Sequence, residues 1–319
     1  MPQENLFAVG RLKVLENRML DQTRLNRLKE ADAGEFLRIL EEFGYGMGTD
    51  AHGNLENLIG AELEQARVEV AEGTPNKDLT DLFLLPTDAH NLKVLLKCRL
   101  MGSSPEGLLA GGGCFDTDVL AACVDAGRYD ALPTDFAAIL QKMEERLQRA
   151  SDPLALSAAV DRAVFAHVQS VLENPRNRNA CISEYFTAKI DFTNVRSIVR
   201  ARRLHWKREK AEPLLIPGGE IPFADLLDAL EAPDDALVKK LAKGTHSRRL
   251  TGALEEYMST GSTKALEDRM DDILSAMVDD GRWEIFSISP IVGYLLRKDA
   301  EARAIRVLYA QKLSGKAAA

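Results

Sequence analysis

The chain is 319 residues long, 45% hydrophobic and 28% charged, and its 41 Lys and Arg against 49 Asp and Glu give a formal charge of −8. A chain of this size buries two or three small cores rather than one large one. Its acidic balance excludes a protein that grips nucleic acid or anionic lipid by bulk electrostatics. Aromatic residues are only 6%, while Leu, Ala, Glu and Arg dominate and apolar residues recur throughout, which excludes disorder and points to an all-α protein.

In chain order, Leu12, Leu15, Met19 and Leu20 fall at i, i+3, i+7 and i+8, and Phe36, Leu37 and Leu40 begin a second helical stripe. The spacing predicts a longer helix from about Leu55 to Ala71, stopped by Gly73 to Pro75. Asp135 to Gln148 and Pro153 to Leu172 read the same way, the second with its proline at the helix start. Lys264 to Val278 carries Leu266, Met270, Ile273, Leu274 and Met277 on one face. No segment shows the period-two alternation of a strand.

The most informative feature is internal repetition. Leu82-Phe83, Asp88, Asn91-Leu92-Lys93 is echoed by Tyr185-Phe186, Asp191, Asn194-Val195-Arg196, and again by Leu295-Leu296, Glu301, Ala304-Ile305-Arg306. With the acid as position zero, all three copies have apolar residues at −6, −5, +4, +7 and +8 and a base at +5 and +11. Leu109 with Gly112-Gly113 returns as Leu215 with Gly218-Gly219, and Leu156, Val160-Asp161 returns as Leu266, Met270-Asp271. The expected organisation is three helical repeats at 1–104, 105–210 and 211–319, with net charges of −5, +1 and −4.

Within the motif, positions +4, +7 and +8 face the repeat's own core, and the acid is expected to cap free N–H groups at its helix start. The bases are harder to absorb. Lys93 with Lys97 and Arg196 with Arg200 are like charges at i, i+4, which disfavour a helix by a few tenths of a kcal/mol unless an acidic surface faces them. The candidate partner interface therefore comprises Lys93, Lys97, Arg99, Arg196, Arg200, Arg202, Arg303 and Arg306. The most basic segment continues through Arg203, Lys207, Arg208 and Lys210, and reads either as a docking helix for an acidic partner or as a solvated face. Aromatic interleaving is reduced to Trp206, too little for stacked bases, so no nucleic-acid partner is expected.

No catalytic constellation emerges. Gly111-Gly112-Gly113 is not followed by Lys-Ser or Lys-Thr and reads as a turn. Asp268, Asp271 and Asp272 at i, i+3 and i+4, with Asp279-Asp280 further on, give the one enzyme alternative, a magnesium-dependent all-α synthase of the isoprenoid type. It lacks a second facing aspartate-rich helix. None of the five histidines, His167 included, pairs with a nucleophile motif. Cys98, Cys114, Cys123 and Cys181 form no CxxC pair and have no His at zinc-ligand spacing, so neither a metal, a cofactor nor a disulfide framework is expected, only thiols in a reducing cytoplasm. The N-terminus shows no secretory signal, and the longest charge-free apolar stretch, Ile285 to Leu296, is twelve residues broken by Pro290, too short to insert into a bilayer.

The repeated motif carries a family resemblance. Phe7-Ala8-Val9-Gly10-Arg11-Leu12, Phe43-Gly44-Tyr45-Gly46, Asp88-Ala89-His90-Asn91-Leu92-Lys93, Asp191-Phe192-Thr193-Asn194-Val195-Arg196 and Pro290, Tyr294, Glu301, Arg306 follow one another as in the C subunit of V-type (A/V-type) ATPases, the equivalent of the eukaryotic V-ATPase d subunit. The chain resembles that family along its whole length. It departs at Ala304, where the third copy usually has Asn, and in its short Lys-Ala-rich tail. The resemblance implies a funnel of three similar helical bundles about a pseudo-threefold axis, with no active site. It implies a cytoplasmic, peripheral rotor component of the central stalk that couples the D and F shaft subunits to the membrane rotor ring of c/K subunits, for transport of H⁺ or Na⁺. A generic α-helical adaptor is the other reading from the residues themselves.

Overall fold

The computed structural model describes residues 2–50, 52–74, 76–147, 153–279 and 287–316. Regular structure among them is helical, with no strand. In order, the helices are Pro2–Glu16 (α1), Gln22–Glu30 (α2), Ala33–Glu42 (α3), Leu55–Gly73 (α4), Lys77–Asp81 (α5), Leu85–Met101 (α6), Thr117–Ala126 (α7) and Thr134–Leu147 (α8). They continue as Pro153–Glu173 (α9), Ala180–Arg203 (α10), Arg208–Ala211 (α11), Phe223–Asp228 (α12), Asp234–Leu241 (α13), Ser247–Thr260 (α14), Thr263–Asp279 (α15) and Ser289–Lys316 (α16).

The helix starts are set by short polar side chains. Asp21 accepts from the Arg24 N–H, Asp32 from Gly34 and Glu35, Asn54 from Asn57 and Asn179 from Ile182, each satisfying a donor that the first turn leaves open. Pro153 opens α9, and Gly261, at φ 67°, closes α14 in the left-handed conformation. The helices expected over Leu55–Ala71, Asp135–Gln148, Pro153–Leu172 and Lys264–Val278 are present as α4, α8, α9 and α15, within two residues at each described end. One stripe is shorter than expected. α1 stops at Glu16, and Met19 and Leu20 lie in the turn before α2.

The chain forms two compact units. The first is Met1–Val94 with Ser104–Leu120 and Gly281–Ala319. Leu28, Phe36, Ile39, Leu40, Leu58, Ile59 and Ile305 form a core there that is almost sealed from solvent, with the Phe36 and Tyr309 rings 5.3 Å apart. Each such side chain stabilises by about 1.5–3 kcal/mol relative to exposure. The second unit is Leu95–Ser103 with Ala121–Asp280. In it α9 lies along α8, and α15 lies against both α10 and α14. Leu156 and Val160 of α9, like Leu266 and Met270 of α15, are fully buried, so the echoed apolar positions play the same role.

Candidate partner interface

The motif acids do something other than cap their own helices. Asp88, in the first turn of α6, is buried and accepts the Cys114 N–H at 2.9 Å and the Phe115 N–H at 3.1 Å. One turn on, Asn91 donates its Nδ2 to the Ala110 carbonyl and accepts the Ala110 N–H, both at 2.8 Å. The chain that leaves α6 thus returns antiparallel to it and is held by four hydrogen bonds to two side chains. The second copy repeats this. Asp191 accepts from Glu220 N at 2.9 Å and Ile221 N at 3.0 Å, and Asn194 exchanges two 2.8 Å bonds with Ile216.

The glycine pairs belong to these clamps. Gly112 and Gly218 have φ of 83° and 102°, a region that L side chains avoid. A Cβ on Gly113 would strike the Asp88 carboxylate, and one on Gly219 would strike that of Asp191. The turn expected at both sites is therefore more specific than a turn: it brings backbone N–H groups onto a buried carboxylate. Desolvation opposes the two charges. It pushes Asp88 up to about 6 against the lowering pull of the Cys114 and Phe115 N–H groups, and raises Asp191 in the same way.

The third copy is built differently. Glu301 is buried and accepts the Leu20 N–H and the Tyr45 hydroxyl, each at 2.5 Å, and Lys298 Nζ at 2.9 Å. Lys298 also reaches Glu62 at 2.6 Å. Its clamped segment is therefore the turn after α1, and this contact is why Leu20 lies off the helical stripe. Ala304 is exposed and offers no counterpart to Asn91 or Asn194. Burial beside Glu301 raises the Tyr45 hydroxyl well above its ordinary range, so it stays a donor.

The eight candidate bases fall into distinct settings. Arg99 donates to the Val124 carbonyl in the last turn of α7 and forks onto both Glu144 oxygens at 2.7 Å. Arg202 gathers the Ala229, Leu230 and Ala232 carbonyls beyond α12 at 2.6–3.2 Å and meets Asp234 at 2.8 Å. Lys312, the +11 base of the third copy, likewise donates to the Lys29 carbonyl at the end of α2. Position +11 thus donates to carbonyls in the last turn of a helix or in the turn directly after it in every copy. Arg306 forks onto Glu56 at 2.8–3.0 Å. Lys93 and Lys97 are half-buried. Arg196, Arg200 and Arg303 are exposed, Arg196 with only a 3.5 Å contact to Thr193 and Arg303 at 3.3 Å from Asp299. This +11 role is the function that sequence reasoning missed. Its one available signal was that +11 is basic in all three copies while +9 is not.

Further along, Lys210 sits over the Trp206 ring at 4.3 Å, and Arg203 and Lys207 are exposed. Among the described residues no group of His, Cys, Asp and Glu is placed to hold a metal ion. Asp268 is paired with Lys264 at 2.7 Å, Asp271 and Asp272 are exposed, and Asp280 lies outside the described residues. His167 contacts Asp135 at 3.0 Å and stacks on Phe136 with centroids 6.3 Å apart, a packed histidine between α8 and α9. All four cysteines are free. No described helix is long and apolar enough to cross a membrane; residues 285 and 286 of the apolar stretch lie outside the described set.

Similarity to known proteins runs along nearly the whole chain. The family model for the ATP synthase (C/AC39) subunit matches residues 8–318. The C subunit of the A-type ATP synthase of Methanothermobacter thermautotrophicus is 25% identical over 96% of this chain and 83% of its own length. That of Haloferax volcanii is 24% identical over 95% of this chain and 91% of its own. The C subunit of the V-type sodium ATPase of Enterococcus hirae is 22% identical, covering 78% of this chain and 76% of its own length.

Proposed function

Since the chain belongs to the ATP synthase C/AC39 subunit family, we propose that it is a non-catalytic central-stalk component of a rotary A/V-type ATPase, coupling the D and F shaft subunits to the membrane rotor ring of c/K subunits. The observation that carries the reading is the family match across residues 8–318. In this reading the protein is peripheral on the cytoplasmic side and transmits torque for H⁺ or Na⁺ transport. A torque coupler needs packed helices and fixed junctions. The clamps at Asp88 and Asp191 and the +11 bases supply such junctions with buried, directional hydrogen bonds.

The same reading takes the fold as three helical repeats, 1–104, 105–210 and 211–319, about a pseudo-threefold axis in a funnel. Two features support it: the clamp repeats at Asp88 and Asp191, and the +11 base donates to carbonyls at or just beyond a helix end in each copy. For partner contacts we assign the contacting role to Arg196 and Arg200 in the second unit and to Arg303 in the first, with the half-buried Lys93 and Lys97 as lesser candidates. Arg99, Arg202 and Arg306 would act indirectly, each through the internal contacts of its own unit.

The test is affinity capture of the tagged full chain from solubilised membranes of its host. Co-purification of shaft and ring subunits is the expected result. Their absence, from a preparation in which the intact ATPase is demonstrated, would overturn the rotary reading in favour of a generic helical adaptor.

A further inference from the structure

Of the three helices that carry the motif acids, α10 alone presents a long basic stripe. Lys189, Thr193, Arg196, Arg200 and Arg203 follow one another at steps of four, three, four and three residues. That spacing keeps them within an arc of about 80° and strings them over about 21 Å of helix. Arg196, Arg200 and Arg203 are exposed, while the other sides of α10 bury Ile190, Val195, Ile198 and Val199. None of the four bases pairs with an acid among the described residues. Arg196 and Arg203 reach only the Thr193 and Thr263 hydroxyls, at 3.5 and 3.4 Å. The Lys189 ammonium stands 5.5 Å from the centroid of the Tyr185 ring.

The other two copies carry less charge at these positions. At the same distances from the motif acid the first has Pro86, His90, Lys93, Lys97 and Leu100, and the third has Asp299, Arg303, Arg306, Ala310 and Leu313. In the third copy the charge is also answered from within the chain. The acid-bearing α4 lies along α16 in the opposite direction, with Glu56 on Arg306 at 2.8–3.0 Å and Glu62 on Lys298 at 2.6 Å. Glu56 stands two residues beyond Asn54, the N-cap of α4. The helix packed against α10 is α15, and its first turn is capped by Ser262. Two residues beyond Ser262 stands Lys264, already paired with Asp268 at 2.7 Å. No acid is brought to α10 in this way, and the repulsion between Arg196 and Arg200, four residues apart, stays unrelieved.

We propose that the basic stripe of α10 docks an acidic helix of a partner protein, one with Asp or Glu at three- and four-residue steps that lies along α10 as α4 lies along α16. This rests on the partner-contact role given above to Arg196 and Arg200, and adds the kind of partner they meet. A single file of bases on one helix matches the charge spacing of another helix. The stripe carries no aromatic side chain for a nucleic-acid base to stack on and no apolar one to enter lipid. Arginine suits the role, because its planar guanidinium forks onto a carboxylate.

Photo-crosslinking of the full chain in membranes of its host tests this, with the crosslinker placed in turn at Ser197 and at Leu204, both beside the stripe. The expected products join the two positions to one protein segment, about seven residues apart, that bears at least three acids at three- and four-residue steps. Reversal of Arg196, Arg200 and Arg203 to Glu should lower the yield about tenfold, and Arg200→Gln, a milder change, severalfold. The same charge change at the exposed Lys142, Arg176 and Arg178 should leave it nearly unchanged. Products with a segment lacking that acid spacing, with lipid or nucleic acid, or no product at all would each overturn the proposal. So would an undiminished yield from the triple variant. An acidic helix outside the ATPase would uphold the docking and overturn the rotary reading. ATPase subunits captured by the wild-type chain, with crosslinks to a segment of other composition, would do the reverse.

Discussion

The carboxylate of Asp191 occupies the space that a side chain on Gly219 would need, and the two residues, 28 apart in sequence, are fitted to one another. The glycine lets two consecutive backbone N–H groups, those of Glu220 and Ile221, converge on a buried charge. Gly219→Ala should therefore push the carboxylate off its donors. The expected loss is about 2–4 kcal/mol, the cost of overpacking plus a weakened charged hydrogen bond. Urea unfolding measures it, and a loss under about 0.5 kcal/mol would show that the clamp yields easily.

Asn194 makes both hydrogen bonds available to the buried Ile216 backbone. Asn194→Ala leaves a donor and an acceptor unpaired in the core, and each such group costs about 1–3 kcal/mol. The matching change Asn91→Ala should cost less, because Ala110 is only half-buried and water can replace the lost partner. Thermal unfolding of the two variants side by side gives the order.

Asp88 sets a pH dependence of unusual sign. Its folded pKa, about 6, lies above the unfolded 3.8, so the folded chain holds its proton more tightly. The stability this supplies is complete below about 3.8 and disappears as pH rises through 6; its span is about 3 kcal/mol. Asp228, held below its ordinary range by the hydrogen bond from Lys240, runs the other way, so the informative quantity is a difference. The stability of Asp88→Asn minus that of the wild type should grow between pH 4 and 6 and then level off. Isothermal denaturation at several pH values measures it, and a flat difference would place the Asp88 carboxyl in an ordinary environment.

The bases should separate into two classes on mutation. Arg202→Ala removes the donor for three carbonyls in the turn after α12 and should destabilise the fold by about 2–3 kcal/mol. Charge reversal at Arg196, Arg200 and Arg303, all exposed, should leave helicity and unfolding nearly unchanged and weaken capture of partner subunits. Circular dichroism and the affinity capture distinguish the two. Loss of fold in the triple reversal would make these bases structural.

His205 stands at φ 52°, the left-handed position that Gly102 fills at φ 64° after α6. Both close their helices with the same bonds: Trp206 N to Ala201 O at 2.9 Å, and Ser103 N to Cys98 O at 2.9 Å. A residue with a Cβ is strained in this conformation, so His205→Gly should stabilise the chain by up to about 1 kcal/mol, read as a raised Tm.

Much of this was written along the chain. Periodic Leu, Ile and Val, with Asn, Pro or Ser at the starts, determined the helices at α4, α8, α9 and α15, because caps and amphipathic faces depend on neighbours within a turn or two. The motifs at Asp88 and Asp191 and, separately, the glycine pairs recurred along the chain, and the order of the acid motifs carried the family resemblance. Tertiary structure joined the acids to the glycine turns. Asp88 and Asp191 serve returning backbone rather than their own helix ends, Arg202 serves carbonyls 27 to 30 residues away, and Glu301 reaches Leu20 across almost the whole chain. A hydrogen bond is satisfied by whichever group the fold brings within about 3 Å, and sequence spacing fixes that group only while both partners share one helix.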